Sequence, residues 1–98
     1  MHGEEMIIGV VTLEFHLPSS QSLKSKRYIV KSFKERLSNK FNVSVAEVDH
    51  HDLWQRSTIA VVTVSRKKRF VNSVLSKVMD LARLEKEAVL TKAETYFV

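Results

Sequence analysis

The sequence predicts a single small α+β domain with its elements in the order β-α-β-β-α-β. Two periodicities support this prediction. Apolar residues alternate or run together along 7–17 and 58–65, as in strands, and recur every three or four residues along 23–40 and 66–85, as in helices. Length gives a third constraint, because 98 residues allow one hydrophobic core and little room for a second domain or a deep enclosed active site.

The first strand is predicted over 7–17. Its odd positions are almost wholly apolar, whereas its even positions change from apolar to polar along the strand. One fully apolar face is typical of a central strand packed against other elements. Residues 1–5 form a short polar extension before it, and we expect the domain to cover residues 6–98.

The first helix is predicted from Leu23 to about Lys40. Ser22 is a good N-cap, because its hydroxyl can accept a hydrogen bond from a free backbone N–H group of the first turn. Asn39 is a plausible end signal. The apolar residues at helical spacing after Leu23 are Val30, Phe33 and Leu37.

The second half of the chain repeats the alternation of strand and helix. Strands are predicted over 43–49, 58–65 and 88–98, and the nearly continuous apolar run in the middle one indicates a second central strand. A helix is predicted over 66–85, with Ser65 as its candidate N-cap.

This order is the ferredoxin-like pattern, in which two helices cover one face of a four-stranded antiparallel sheet. The first and third strands are expected to be central, because they carry the most apolar runs. The topology places the start of the first helix beside the loop 50–56, and the start of the second helix at the other end, near Arg36 and Lys40. Apolar residues on the helix-free face, such as Ile8 and Val10, predict a homodimer formed through the sheet or an edge strand.

Positive charge is concentrated at the two predicted helix starts. The chain carries 16 Lys and Arg against 11 acidic residues, a formal net charge of +5. Such a balance suits an acidic partner, most often nucleic acid, although it also serves solubility. Cations oppose the helix dipole at an N-terminus, and a bound phosphate would reverse that effect. The candidate anion-binding cations on the helices are Lys24, Lys26, Arg27, Lys31, Arg66, Lys67, Lys68 and Arg69.

The loop 50–56 adds two further candidates. Trp54 is expected either to cover the end of the sheet or to stack on a base or anchor a partner, and Arg56 would join it. The His-His-Asp sequence at 50–52 contains metal-ligating groups. Adjacent residues rarely face one ion, so polar turn residues are the preferred interpretation and no metal is expected.

Enzyme signals are weak. The chain has no Walker A, GxGxxG, GxSxG or HExxH motif, and it has no cysteine. Glu14, Glu47 and Asp49 are expected close together on the sheet, as solvated carboxylates rather than a catalytic group. We expect a non-enzymatic protein without a cofactor.

The sequence also limits the kind of binding protein and its compartment. The aromatic and glycine-containing motif of an ordinary RNA-recognition sheet is absent. No apolar run reaches about 18 residues, the length of a membrane span, and the N-terminus does not match a signal peptide. A cytoplasmic protein without membrane association is therefore expected.

Several stretches carry a family resemblance. They are MIIGV at 6–10, the segment 17–27 ending in SLKSKR, FNVSVAEV at 41–48 and DLWQR at 52–56. Together they resemble the YlxP-like family, small bacterial proteins of unassigned function, over nearly the whole chain after Met6. The polar start of the chain and the basic run at 66–69 depart from the likeness.

The resemblance implies a ferredoxin-like fold and no established catalytic residues. Genes of the family often lie beside translation-initiation and ribosome-maturation genes, which implies an RNA or ribosome partner by association. The matching basic and aromatic motifs are LKSKR at 23–27 and LWQR at 53–56. The leading prediction is an RNA- or ribosome-associated binding module, and the alternative is a homodimeric structural or protein-interaction module whose basic surface is incidental.

Overall fold

In a computed structural model, the chain is described from residue 6 to residue 98, and the predicted extension over 1–5 lies outside the described residues. The elements are β1 (Ile7–His16), α1 (Leu23–Lys40), β2 (Ser44–Asp49), β3 (Arg56–Ser65), α2 (Lys68–Arg83) and β4 (Val89–Phe97). The four strands form one antiparallel sheet in the order β2-β3-β1-β4. The ferredoxin-like α+β prediction is confirmed, including the central position of β1 and β3.

The alternation along β1 separates the two faces of the sheet. Val11 and Leu13 are fully buried under the helices, as the odd positions predict. The pairing of β1 with β3 is continuous over ten residues, from Ile7 opposite Ser65 to His16 opposite Arg56. The ends of this ladder therefore define the two ends of the molecule.

Helix α1 begins and ends where the sequence predicts. The Ser22 hydroxyl accepts a hydrogen bond from the Ser25 backbone N–H at 3.0 Å. Phe33 packs edge-on against Phe15, with 5.3 Å between ring centroids. This contact anchors the helix above the end of β1 that leads into it.

Helix α2 begins two residues later than predicted. Ser65 is wrong as its N-cap, because Ser65 is still paired with Ile7 in the sheet. The Ser65 hydroxyl accepts a hydrogen bond from the Lys67 backbone N–H at 3.3 Å, ahead of the helix. Lys67 occupies the N-cap, and its side chain makes no capping hydrogen bond.

The two helices are staggered along the sheet. Val71 and Leu75 of α2 pack over Gly9, near one end of β1, whereas Phe33 of α1 packs near the other end. Arg36 pairs with Glu85, just beyond the C-terminal end of α2. Lys40 lines a groove with Lys77, Asp80 and Leu81 of α2 and with Leu84 just beyond the helix. The prediction that Arg36 and Lys40 lie near the start of α2 is therefore wrong.

A helix that crosses a membrane needs about 20 consecutive, predominantly apolar residues. No helix within residues 6–98 combines the necessary length with sufficient apolar character.

Candidate nucleic-acid interface

The loop between β2 and β3 is fastened to the turn that precedes α1. The Leu17 backbone N–H donates a hydrogen bond to the Gln55 carbonyl at 2.9 Å. The Gln55 side-chain amide donates in turn to the carbonyls of Pro18 and Ser20, each at 3.1 Å. The loop and the start of α1 thus lie at the same end of the molecule, as predicted.

Trp54 projects from this loop into solvent. Its surface is 53% exposed, and that of the neighbouring Leu53 is 44% exposed. The rest of its surface is covered by the protein, so covering the end of the sheet and contacting a partner both remain predictions for this side chain. An open groove beside the indole is lined by His16, Asp52, Leu53, Trp54, Gln55 and Arg56.

Lys26 does not face solvent. Its side chain is 0% exposed, and its Nζ lies 2.8 Å from Glu47 Oε2. The ammonium also donates hydrogen bonds to the backbone carbonyls of His50 at 2.6 Å, His51 at 3.1 Å and Arg56 at 3.3 Å. Lys26 is thus a buried clamp between α1 and the β2–β3 loop, and its prediction as a surface contact for phosphate is wrong.

The position of Lys26 on the helix explains its burial. Residues 26, 30, 33 and 37 follow the spacing i, i+4, i+7 and i+11, so Lys26 extends the stripe formed by Val30, Phe33 and Leu37. All four residues are buried against the sheet. The sequence contained this signal, because a lysine on an apolar stripe requires a buried acceptor.

Glu47 is the acceptor, and sequence reasoning did not identify this role. It lies opposite Ile59 on the helix-covered face of the sheet, and it also accepts a hydrogen bond from the Ser57 hydroxyl at 2.6 Å. Glu14 lies on the other face, in the row of Thr58, where its carboxylate is 3.8 Å from the Arg56 guanidinium. Asp49 also lies opposite Thr58 and shares the row of Glu14, but Glu47 lies on the other face, so the predicted group of three neighbouring carboxylates does not form.

The His-His-Asp sequence forms the tip of the loop. His50 has a positive φ of 64°, and its backbone N–H donates to the Asp49 carboxylate at 2.7 Å. His51 Nδ1 lies 3.6 Å from the second Glu47 oxygen. Among the residues that the structure describes, no three His, Cys, Asp or Glu side chains gather in a way that could hold a metal ion.

The exposed candidate cations separate into two groups. Lys24, Arg27 and Lys31 are exposed on α1, and Arg56 is exposed beside the Trp54 loop. The run 66–69 is also exposed, but it follows the opposite end of β3. The two ends of the ten-residue ladder are about 30 Å apart, so the structure does not combine the two groups into one compact site.

The fold and this loop define a class, a small ferredoxin-like α+β domain that presents a tryptophan on a braced loop. The sequence model of the family described as "Protein of unknown function (DUF503)" matches residues 8–95, and the chain belongs to this family. The chain is also similar to "Uncharacterized protein YlxP" from Bacillus subtilis (strain 168). The two are 34% identical over 73 residues, which cover 74% of this chain and 79% of that protein. The YlxP-like prediction is confirmed.

Two solved structures share the arrangement of elements at 14% sequence identity. One is the de novo designed protein Foldit4, with a TM-score of 0.53 over 96% of this chain and 97% of that chain. The other is a C-terminal segment of the alpha subunit of aIF2 from Pyrococcus abyssi, with a TM-score of 0.51 over 95% of this chain and 49% of that chain. At this identity the likeness concerns the fold alone.

Proposed function

We propose that this chain is a non-enzymatic RNA-binding module for ribosome-associated RNA. RNA would bind at the Trp54 surface, which we define by the exposed side chains of Lys24, Arg27, Trp54 and Arg56. The observation that carries the proposal is the 53% exposed indole of Trp54 on a loop that Lys26 and Gln55 hold in place.

An exposed indole on a braced loop is suited to stacking. Base–aromatic stacking contributes about 1–3 kcal/mol per base and tolerates different base sequences. The hydrogen bonds of Lys26 and Gln55 order the loop before binding, so the loop loses less conformational entropy when a partner binds. Unstacked bases occur in single-stranded RNA loops and bulges, which favours RNA over a DNA duplex as the partner.

The surrounding charges favour phosphate contacts from the helix side. Lys24 and Arg27 are exposed near the start of α1, and no acidic residue lies in its first turn. Asp49 at the end of β2 and Asp52 on the loop oppose this positive potential, so binding requires the α1 cations. The proposed division of roles has Trp54 stacking on a base while Lys24 and Arg27 contact the backbone.

The test is a fluorescence-anisotropy titration with structured ribosomal RNA and with a DNA duplex, repeated across salt concentrations. The proposal expects preference for RNA that persists near physiological salt. Trp54→Ala and the Lys24→Ala/Arg27→Ala pair should each weaken RNA binding, and the pair should reduce the salt slope by about one unit per lost phosphate contact.

Lys77→Ala serves as the control, because it removes one exposed cation from α2, away from the Trp54 surface. Equal losses in Lys77→Ala and in the Lys24→Ala/Arg27→Ala pair would contradict a localised site. Binding that treats both polymers alike and disappears by physiological salt would contradict the proposed function.

A second candidate, a homodimeric protein-interaction module, is supported by the helix-free face of the sheet. Val64 and Tyr96 on that face are 49% and 50% exposed, and they lie near Val10 and Val62. The two side chains lie on either side of β1, and exposed apolar residues on one face of a sheet favour a protein partner. Sedimentation at several protein concentrations tests this candidate, and a monomer throughout would contradict it.

A further inference from the structure

Strand β4 has an unpaired edge. It contains nine residues, Val89–Phe97, without proline or glycine, and within residues 6–98 it pairs with β1 alone. An edge strand of this length presents backbone N–H and C=O groups that can pair with another strand.

The ladder with β1 identifies which β4 residues direct these groups outward. The Val98 N–H donates to the Ile8 carbonyl at 3.0 Å, and Val98 lies next in register after Phe97 opposite Gly9. Antiparallel ladders alternate between hydrogen-bonded and non-hydrogen-bonded pairs. Even-numbered residues of β4 up to the bulge therefore bond to β1, and Ala93 and Thr95 present their N–H and C=O groups at the free edge.

We propose that a second copy of this chain pairs with this edge, antiparallel and about a two-fold axis at Ala93. Ala93 of one copy would lie opposite Ala93 of the other and exchange two backbone hydrogen bonds with it. The two four-stranded sheets would become one continuous sheet with β4 against β4 at its centre. Such an interface is isologous, so it closes at two copies.

Charge selects this register. Lys92 and Glu94 flank Ala93 on the helix-free face, with side chains 59% and 63% exposed and 3.4 Å between Nζ and Oε1. With the axis at Ala93, Lys92 of each copy faces Glu94 of the other. An axis at residue 92 would place the two Lys92 side chains opposite each other, and an axis at residue 94 would place the two Glu94 side chains opposite each other. Either pair of like charges is destabilising. An axis at residue 95 would place Glu94 opposite Tyr96.

The bulge of β4 limits the extent of the pairing. The register with β1 shifts by one residue between Glu14 and Phe15, which leaves Thr91 as the extra residue of β4. Beyond the bulge, the side chains of β4 alternate in the opposite sense, so the regular ladder between copies covers 91–95. A short ladder of this kind predicts a reversible dimer that depends on protein concentration.

Sedimentation equilibrium with charge-exchange variants tests the proposal. Wild type should dimerise reversibly. Lys92→Glu and Glu94→Lys should each raise the dissociation constant about tenfold, because each replaces two attractive cross-strand pairs with two repulsive ones. An equimolar mixture of the two variants, with one of them labelled, should restore association as a mixed dimer. The double variant Lys92→Glu/Glu94→Lys should restore the homodimer.

The control is Lys77→Glu, which makes the same charge change on an exposed position of α2 and should leave the dissociation constant unchanged. Thermal unfolding verifies that each variant is folded. A wild type that stays monomeric overturns the proposal. The proposal is also overturned if the single variants dimerise as well as wild type, or if the mixture associates no better than its components. Either result would point to the helix-free sheet face as the dimer interface.

Discussion

A buried lysine, together with Gln55, holds the loop that carries the candidate site. The Lys26 ammonium has three N–H donors and lies within hydrogen-bond distance of one Glu47 oxygen and three backbone carbonyls. Breaking a buried ion pair by removing one partner is strongly destabilising, because the other charge is left without its counterion. At the scale of residues, the loop that carries Trp54 is therefore held in part by a side chain that is itself fully buried.

Lys26→Ala is expected to lower the free energy of unfolding by about 3 kcal/mol, since it leaves the Glu47 carboxylate without its buried counterion and removes one donor from three backbone carbonyls. Urea unfolding followed by circular dichroism measures the effect. Lys31→Ala on the exposed face of the same helix is the control and should change stability by less than about 0.5 kcal/mol. Equal effects of the two variants would show that the clamp contributes nothing.

Gly9→Ala tests how closely α2 packs on the sheet. A Cβ at residue 9 would overlap Val71 Cγ1 and lie 2.9 Å from Leu75 Cδ1. Both side chains are buried and cannot move aside freely. We expect a loss of about 2 kcal/mol, typical of overpacking. Ala46→Gly, at an exposed strand position, is the control for adding or removing one methyl group. An unchanged melting temperature for Gly9→Ala would contradict this packing.

At the scale of elements, the two helices differ in how they begin. Helix α1 has the Ser22 hydroxyl as its cap, whereas α2 has Lys67 at the N-cap without a capping hydrogen bond and no acidic residue in its first turn. The basic residues at the start of α2 thus supply no oxygen to cap the helix, and their positive charges interact unfavourably with the helix dipole. A sequence tolerates such a conflict at a functional surface, which is consistent with a role of 66–69 in binding a polyanion.

Lys67→Asp should stabilise the protein by about 1 kcal/mol, because it supplies a capping oxygen and a negative charge at the positive end of α2. The extended backbone of residue 67 is already suited to an N-cap. Ser22→Ala is the opposite change in α1 and should destabilise by about 1 kcal/mol. Thermal unfolding of both variants gives the comparison, and a less stable Lys67→Asp would refute the argument.

At the scale of the whole molecule, the candidate cations occupy two ends of an elongated body of 48 × 22 × 22 Å. The Trp54 surface lies at the end where α1 begins, and the run 66–69 lies at the end where α2 begins. Only a long polyanion could contact both, whereas a short oligonucleotide would contact one.

Two RNA lengths distinguish the contributions of these ends. Lys24→Ala/Arg27→Ala should weaken binding of an oligonucleotide of about 6 nucleotides and of one several times longer, since a single site covers about 4–16 nucleotides. Lys67→Ala/Lys68→Ala should weaken binding of the longer RNA only, with a smaller salt slope. Anisotropy measurements check both variants. A loss for the short RNA in the second variant would place the main site at α2.

Periodicity predicted most of the fold. The order of elements, the bounds of α1 and its Ser22 cap depend on neighbours within a few residues, and the apolar runs of β1 and β3 indicated their central positions. These features follow from local backbone preferences and from which face of each element is apolar. The sequence also identified the loop of Trp54 and its proximity to α1, because the topology determines which loops share an end.

Tertiary packing determined the roles of particular charges. The sequence placed Lys26 among its basic neighbours, but only the fold brings Glu47 and the carbonyls of 50, 51 and 56 to its ammonium. Likewise, Arg36 pairs with Glu85, rather than lying near the start of α2, because the two helices are staggered along the sheet. Local pattern determines which element a residue joins. Whether its charge is buried or solvated depends on partners that are distant in sequence, since desolvation is compensated only where the packed elements provide them.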